Sequence, residues 1–156
     1  MQLSLEKLHF VSGLAPVADA LAGSAVSDIV NGKNFGKLFF VIHKGVGATG
    51  TSTITIDACD DVVPTNTTAI PFRYRNITSG DTVTALTEAA AAGFTTTAGS
   101  AQLILVEVDA VELAKTGYGY CRLAATEVVD SPVLAGILIF GSNPRYSVDT
   151  GDTAIV

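Results

Sequence analysis

Between Gly45 and Cys59 the sequence sets a nucleotide-binding fingerprint directly against a β-strand, and the strand decides what this chain can fold into. Gly45-Val46-Gly47-Ala48-Thr49-Gly50 has the form G-x-G-x-x-G, and the strand-like run Lys37–Lys44 comes before it, as that fingerprint requires. A dinucleotide site then needs a helix, whose N-terminal amides receive the pyrophosphate. Thr51 to Cys59 stands in that place instead, and in it Ile54, Ile56 and Ala58 alternate with Thr53, Thr55 and Asp57. A period of two belongs to a strand. The glycines therefore read as a connection between two strands, and no cofactor cradle is expected.

The same pattern extends along the chain, where Gly, Asn, Thr and Pro turns separate short strands at the spacing of a sandwich or barrel. Val26–Val30 is the first expected strand, and the Asn31-Gly32-Lys33-Asn34 turn after it carries a hairpin signal. Lys37–Lys44 is apolar on both faces, with Phe39 and Val41 on one and Leu38, Phe40 and Ile42 on the other, which predicts a central strand covered on both sides. In Ala69–Ile77 the residues Ile70, Phe72 and Tyr74 share one face, so Arg73 and Arg75 point outward or across an interface. Gln102–Asp109 is again apolar on both faces.

After it, Asp109-Ala110-Val111-Glu112 has the form of a capping box, and Gly117 stands where a C-terminal cap falls, which predicts a helix over 110–116. Tyr118–Val128 and Val133–Phe140 are the last pair of strands, joined at Asp130-Ser131-Pro132. Thr82–Phe94 reads as a strand followed by one helical turn ending at Gly93. The expected fold is all-β: an antiparallel β-sandwich, jelly-roll-like, with one short helix. Its domain spans residues 26–146, between an N-terminal arm over 1–25 and a C-terminal tail over 147–156.

Charged residues make up only 15% of the 156, against roughly 25% in an average soluble protein, while hydrophobic residues reach 48% and mean hydropathy is +0.44. The longest apolar stretch, Pro132–Phe140, is far short of the ~18 residues of a membrane-spanning helix, so no membrane partner is expected. The N-terminus also lacks the basic start and continuous apolar region of a secretion signal. Surplus apolar surface then points to contacts with other subunits, because obligate interfaces resemble a core cut in half. Net charge is −6 and the basic residues are scattered singly except at Arg73 and Arg75, a poor footprint for nucleic acid.

Catalytic chemistry has little to work with. His9 and His43 sit in no triad or metal spacing, and His43 reads as a hydrogen-bonded structural histidine. Asp57, Asp60 and Asp61 form the tightest carboxylate group but lack the ligand pattern of a calcium loop. Cys59 and Cys121 have neither a disulfide framework nor metal-ligand spacing and read as small buried residues, with one bridge left open if their strands are neighbours. No catalytic, cofactor or metal residue is assigned.

Two blocks carry a family resemblance: Asp28-Ile29-Val30-Asn31 through Phe39-Val41-His43-Lys44-Gly45 to Thr67-Thr68-Ala69-Ile70-Pro71-Phe72-Arg73-Tyr74-Arg75, and Gly117-Tyr118-Gly119-Tyr120 through Ser131-Pro132 to Asn143-Pro144-Arg145-Tyr146. Over about residues 26–146 they resemble small all-β virion proteins of tailed bacteriophages, several of which are similar to head decoration, or cement, proteins. That resemblance implies a non-enzymatic structural protein on the capsid exterior. Its implied partners are the major capsid protein and sister copies, in a homo-oligomer such as a trimer. It also suggests lattice contacts at Leu3, Leu5, Leu8 and Phe10 of the arm, at Val46 and Thr49 of the glycine loop, and at Arg73 and Arg75. A tail or receptor-binding component is the alternative within the same class. A carbohydrate-binding or hydrolytic module would have to draw on Tyr74, Tyr118, Tyr120 and the Asp57–Asp61 carboxylates, with no Trp to stack on a sugar.

Overall fold

The computed structural model describes residues 8–46 and 49–145. In chain order the elements are β1 (His9–Val17), β2 (Ser24–Val26), β3 (Val30–Asn31), β4 (Phe35–Lys44), β5 (Thr51–Cys59), β6 (Thr67–Ile70), β7 (Phe72–Ser79), β8 (Thr82–Val83), β9 (Thr87–Ala89), β10 (Phe94–Thr95), β11 (Leu103–Asp109), α1 (Ala110–Lys115), β12 (Tyr120–Val129) and β13 (Ala135–Pro144). They form two antiparallel sheets. The seven-stranded sheet runs β1-β13-β4-β11-β7-β8, with β9 also on β7; the six-stranded sheet runs β10-β5-β12-β2, with β3 also on β12 and β6 on β5.

The pairing is nested. β1 pairs with β13, β2 and β3 with β12, β4 with β11, and β5 with β10. Successive pairs fall in alternate sheets and are joined side by side through β13·β4 in one and β12·β5 in the other. This is one long hairpin of strand pairs rolled into two layers, the jelly-roll arrangement expected from the sequence. The strands β6 to β9 are inserted before β10, and β7 widens the seven-stranded sheet beyond β11.

Period-two alternation sends one side of each strand between the layers. Leu38, Phe40, Ile42, Ile104, Val106, Val108, Ile137 and Ile139 come from the larger sheet and meet Ile54, Ile56, Leu123 and Ala125 from the smaller. Each large side chain so buried contributes roughly 1.5–3 kcal/mol. Helix α1 begins where Asp109 accepts a hydrogen bond from the Val111 amide at 2.9 Å. The reciprocal half of the capping box is absent, because Glu112 is drawn to Lys115 at 2.6 Å instead. Gly117 closes the helix at φ +79°, as expected.

Several local expectations are corrected. Residues 9–17, expected in an irregular arm, are the edge strand β1, and 24–26 are β2, so the sandwich begins well before residue 26. Val26–Val30 is broken at Ser27, whose hydroxyl accepts from the Leu123 amide at 3.0 Å and takes over part of the ladder. Ala69–Ile77 is two strands in different sheets, because Pro71 between them has no N–H to offer a ladder. The turn expected over 88–93 is shorter: Glu88 and Ala89 lie in β9, paired with Arg73 and Phe72, and only 90–93 turns, with the Gly93 amide donating to the Ala90 carbonyl at 2.8 Å.

Candidate assembly interface

Register fixes what lies on the outer face of the seven-stranded sheet. Phe10, Phe140 and Phe39 stand side by side across β1, β13 and β4, and that row continues into Glu107, Arg73 and Glu88. The next row holds Ser12, Leu138, Val41, Leu105 and Arg75, and the one after it Gly136, His43, Leu103 and Ile77. Phe10 and Phe140 are in ring contact at 5.6 Å. Phe10 is 46% exposed and Leu138 43%. The strand β4 is central, as expected, but its second apolar side faces outward and nothing among the described residues covers it.

Charge on this face lies on β4, β11, β7 and β9, and β1 and β13 carry none. Lys37 pairs with Glu107, and Arg73 with Glu88 at 2.8 Å. Arg75 is half-buried beside Leu105 and has no ion-pair partner among the described residues. Toward the opposite end of the face, where β4 stops and β13 starts, Pro16, Val41, His43, Leu103, Leu134 and Leu138 line an apolar groove of about 640 Å³.

The outer face of the smaller sheet is built differently. Thr53, Thr55, Thr126 and Ala124 cover it, with Asp57 facing Arg122 at 3.3 Å and the Lys33 ammonium 5.3 Å from the Tyr120 ring. The smaller sheet thus shows mostly Thr, Ala and paired charge, with Val26 46% exposed at its β2 edge, whereas the larger sheet shows Phe, Leu and Val.

Of the expected contact residues, Leu3 and Leu5 lie outside the described residues. Leu8 is half-buried just before β1, and Phe10 is on the apolar face. Val46 is 82% exposed and Thr49 is exposed on the glycine loop, at the groove end of the molecule. Arg73 and Arg75 point outward, as their strand alternation predicts. Sequence reading missed Phe39, Val41, Leu138 and Phe140 as surface groups. The signal was there, in strands apolar on both sides, but that pattern is the same whether the second side is covered by this chain or by another.

In the segment that resembles a nucleotide fingerprint, Gly47 and Ala48 lie outside the described residues, and packing fixes its two ends. An added Cβ at Gly50 would overlap the Ser131 carbonyl oxygen, and the Gly45 amide donates to Leu134 O at 2.7 Å. Thr51 then enters β5 with no helix between.

The remaining polar groups are dispersed. His9 stacks on Phe35 at 6.0 Å, whereas His43 is exposed on the outer face, not the hydrogen-bonded structural residue expected. Cys59 lies opposite Tyr120 and Cys121 opposite Ala58, so the two thiols leave adjacent strands on opposite faces and both are free. Among the described residues no group of three or more His, Cys, Asp or Glu is placed to hold a metal ion. Tyr74 stacks on Phe94 at 3.6 Å where the two sheets meet, Tyr118 packs on the core, and Tyr120 lies on the far face, so the tyrosines share no surface. A second hollow of about 400 Å³ is lined by Glu88, Glu107, Asp109 and Glu112. Each of these acids is already engaged, by Arg73, Lys37, the Val111 amide and Lys115 in turn.

No protein-family profile matches the sequence, and no curated protein does. Among solved structures the chain is similar over 81% of its length to 29% of a GH26-CBM35 β-(1,4)-mannanase from Podospora anserina, with 14% identity and a TM-score of 0.31. It is similar over 95% of its length to 44% of the VP2 chain of the infectious bursal disease virus subviral particle, with 11% identity and a TM-score of 0.27. The chain spans less than half of either neighbour, and likenesses this slight decide nothing about function.

Proposed function

We propose that this chain is a non-enzymatic structural protein of a tailed-phage virion, and that within the particle it is a decoration protein held on the outside of the head by the major capsid protein. The observation that carries the reading is the uncovered apolar face around Phe10, Phe39 and Phe140, opposite a face that is mostly Thr, Ala and paired charge. A sandwich with one dry side and one wet side suits a subunit that lies flat on a larger surface. Its rigid β framework lets that area be buried with little ordering cost on binding. The low charge count fits the same use, since interface cores are depleted of charged residues.

The test is quantitative mass analysis of virions purified from the phage that encodes the chain. A decoration protein is present in a fixed ratio near that of the major capsid protein, and a Phe10→Ser, Phe140→Ser double variant fails to co-sediment with heads that lack the wild-type protein. Absence from the virion sinks the reading, and a copy number of a few per particle moves the protein to the tail.

A further inference from the structure

The apolar groove has a counterpart elsewhere on the same chain. After β5 the segment Asp61-Val62-Val63-Pro64 forms a loop tip with Val63 82% exposed. Asp60 holds that tip in shape: its carboxylate accepts from the amides of Thr65 at 3.1 Å and Asn66 at 3.0 Å, and from the Asn66 side-chain amide at 2.9 Å. The exposed Asp61 accepts from the Val62 amide through one oxygen, and no cation pairs with it among the described residues. The loop thus offers an apolar knob beside a carboxylate on a built turn. The groove offers an apolar hollow, and Arg75, without an acid of its own, stands one strand beyond Leu103 and Leu105.

A molecule cannot join these two features within itself. Thr51, Val129, Ala135 and Lys44 gather at one pole of the sandwich, where the groove lies, because Val129 pairs with Thr51 and Ala135 with Lys44. Cys59 and Tyr120, which pair at the other end of β5 and β12, mark the opposite pole, and the loop leaves from there in the other sheet.

We propose that the Asp61–Pro64 loop of one copy seats Val63 in the outer-face groove of a second copy, with Asp61 against the second copy's Arg75. The contact is head-to-tail: each copy gives a loop and receives one, so the assembly closes into a ring or continues as a filament. The loop's internal hydrogen bonds supply preorganisation, which lowers the cost of association. The Asp–Arg pair sets partner and register. The contact rests on the assembly reading and deepens it by naming a sister copy as one partner, and it leaves the phenylalanine row free for the head surface.

The test is sedimentation velocity on the full chain and on variants at exposed or half-buried surface positions. Wild type should run at a multiple of the 16.0 kDa chain mass, and Val63→Asp should run as a monomer. Asp61→Arg and Arg75→Glu should each weaken association by about tenfold or more, and the Asp61→Arg, Arg75→Glu double variant should recover it. Mixing Val63→Asp, whose groove is intact, with Leu138→Asp, whose loop is intact, should give a heterodimer and nothing larger. Circular dichroism confirms that each variant is folded; should Leu138→Asp unfold, Leu134→Asp, at another exposed residue of the groove, takes its place in the mixture. A monomeric wild type overturns the inference, as does undiminished association of Val63→Asp or a charge-swapped double variant without recovery. A monomer that still binds heads would overturn it while leaving the virion reading standing.

Discussion

Phe39 and Phe140 lie nearly parallel on the outside of the seven-stranded sheet, their ring centroids 4.8 Å apart and their planes 14° from coplanar. They are directly opposed residues of neighbouring strands, the arrangement in which side chains across a ladder interact most strongly. Each ring covers part of the other and leaves its remaining edge to solvent or a partner. A double-mutant cycle of Phe39→Ala and Phe140→Ala should return a coupling of about 0.5–1.5 kcal/mol in chemical denaturation. A coupling near zero would mean that the two rings are held apart by the sheet and not by each other.

Gly93 stands at φ +78°, and a Cβ added there would overlap the carbonyl oxygen of Ile54 on β5. Both constraints act together, since the left-handed backbone disfavours any L side chain and the close approach removes the space for one. The left-handed conformation alone costs about 1–2 kcal/mol for a non-glycine residue. Gly93→Ala should therefore lose more than that in urea unfolding and should also disturb the β10·β5 pairing, seen as faster amide exchange at Phe94 and Thr95. A loss within about 1 kcal/mol would show that the overlap is relieved by a small local shift.

How far such contacts are legible in the sequence depends on their range. The alternation of Ile54, Ile56 and Ala58 identifies β5, and the Asp109–Gly117 signals identify α1, because period and capping are local properties. The partner of each strand is another matter. β4 and β5, β11 and β12, and β12 and β13 are successive strands that lie in opposite sheets, while the partner of β1 is the last strand of all. The Asn31-Gly32 hairpin signal failed for this reason, since the chain there crosses from β3 in one sheet to β4 in the other. Weak alternation hid β1, in which Gly13 and Pro16 interrupt the pattern and register shifts occur between Ser12 and Leu14 and between Leu14 and Val17. For the interface, two-sided apolarity in β4 and β11 marked the right strands, and period alone could not say whether the second side met another layer or another molecule.

Lys44 is fully buried, and its ammonium donates to the Thr97 carbonyl oxygen at 2.9 Å. Burial holds its pKa below the ordinary value of 10.5. The unfolded chain therefore binds this proton more tightly than the folded one, which opposes folding at neutral pH and ceases to do so as pH rises toward 10.5. Lys44→Met removes the desolvated charge and forfeits one hydrogen bond to Thr97, and should come out more stable than wild type by roughly 1 kcal/mol at about pH 7. The advantage should shrink when the two proteins are unfolded at about pH 10. An advantage that grows with pH would contradict the direction of the shift.

The two cysteines act in the opposite sense over the same range. Burial pushes the Cys59 thiol up from 9.0 to about 11, and the Cys121 thiol is raised further by burial and by its neighbour Cys59. A raised acid keeps its proton in the folded state, so its contribution is complete below about pH 9 and is lost as pH climbs through the folded value. Wild type should lose stability between about pH 9 and 11 more steeply than a Cys59→Ala, Cys121→Ala variant. An aromatic disulfide reagent should find no reactive thiol in the native protein and two after unfolding. Rapid labelling of the native protein would show that one of the strands opens.

Asp60 makes the sharpest prediction at low pH, because its hydrogen bonds with Asn66 and Thr65 hold the carboxyl below its ordinary 3.8. A depressed acid contributes stability that is present above its unfolded value and is lost as pH falls through the folded one. The amides of Thr65 and Asn66 should therefore stay protected in an NMR titration below about pH 4 and lose protection only at more acid values, while the rest of the sandwich is unchanged. Asp60→Ala should expose both amides at neutral pH and leave the fold intact, since the loop projects from the end of β5 and carries no core side chain. Because that loop also presents Val63, the same variant should weaken self-association without touching either partner surface. Protection at Thr65 and Asn66 that survives Asp60→Ala would show that the loop is shaped by the flanking strands β5 and β6, and that its carboxylate only decorates a turn already made.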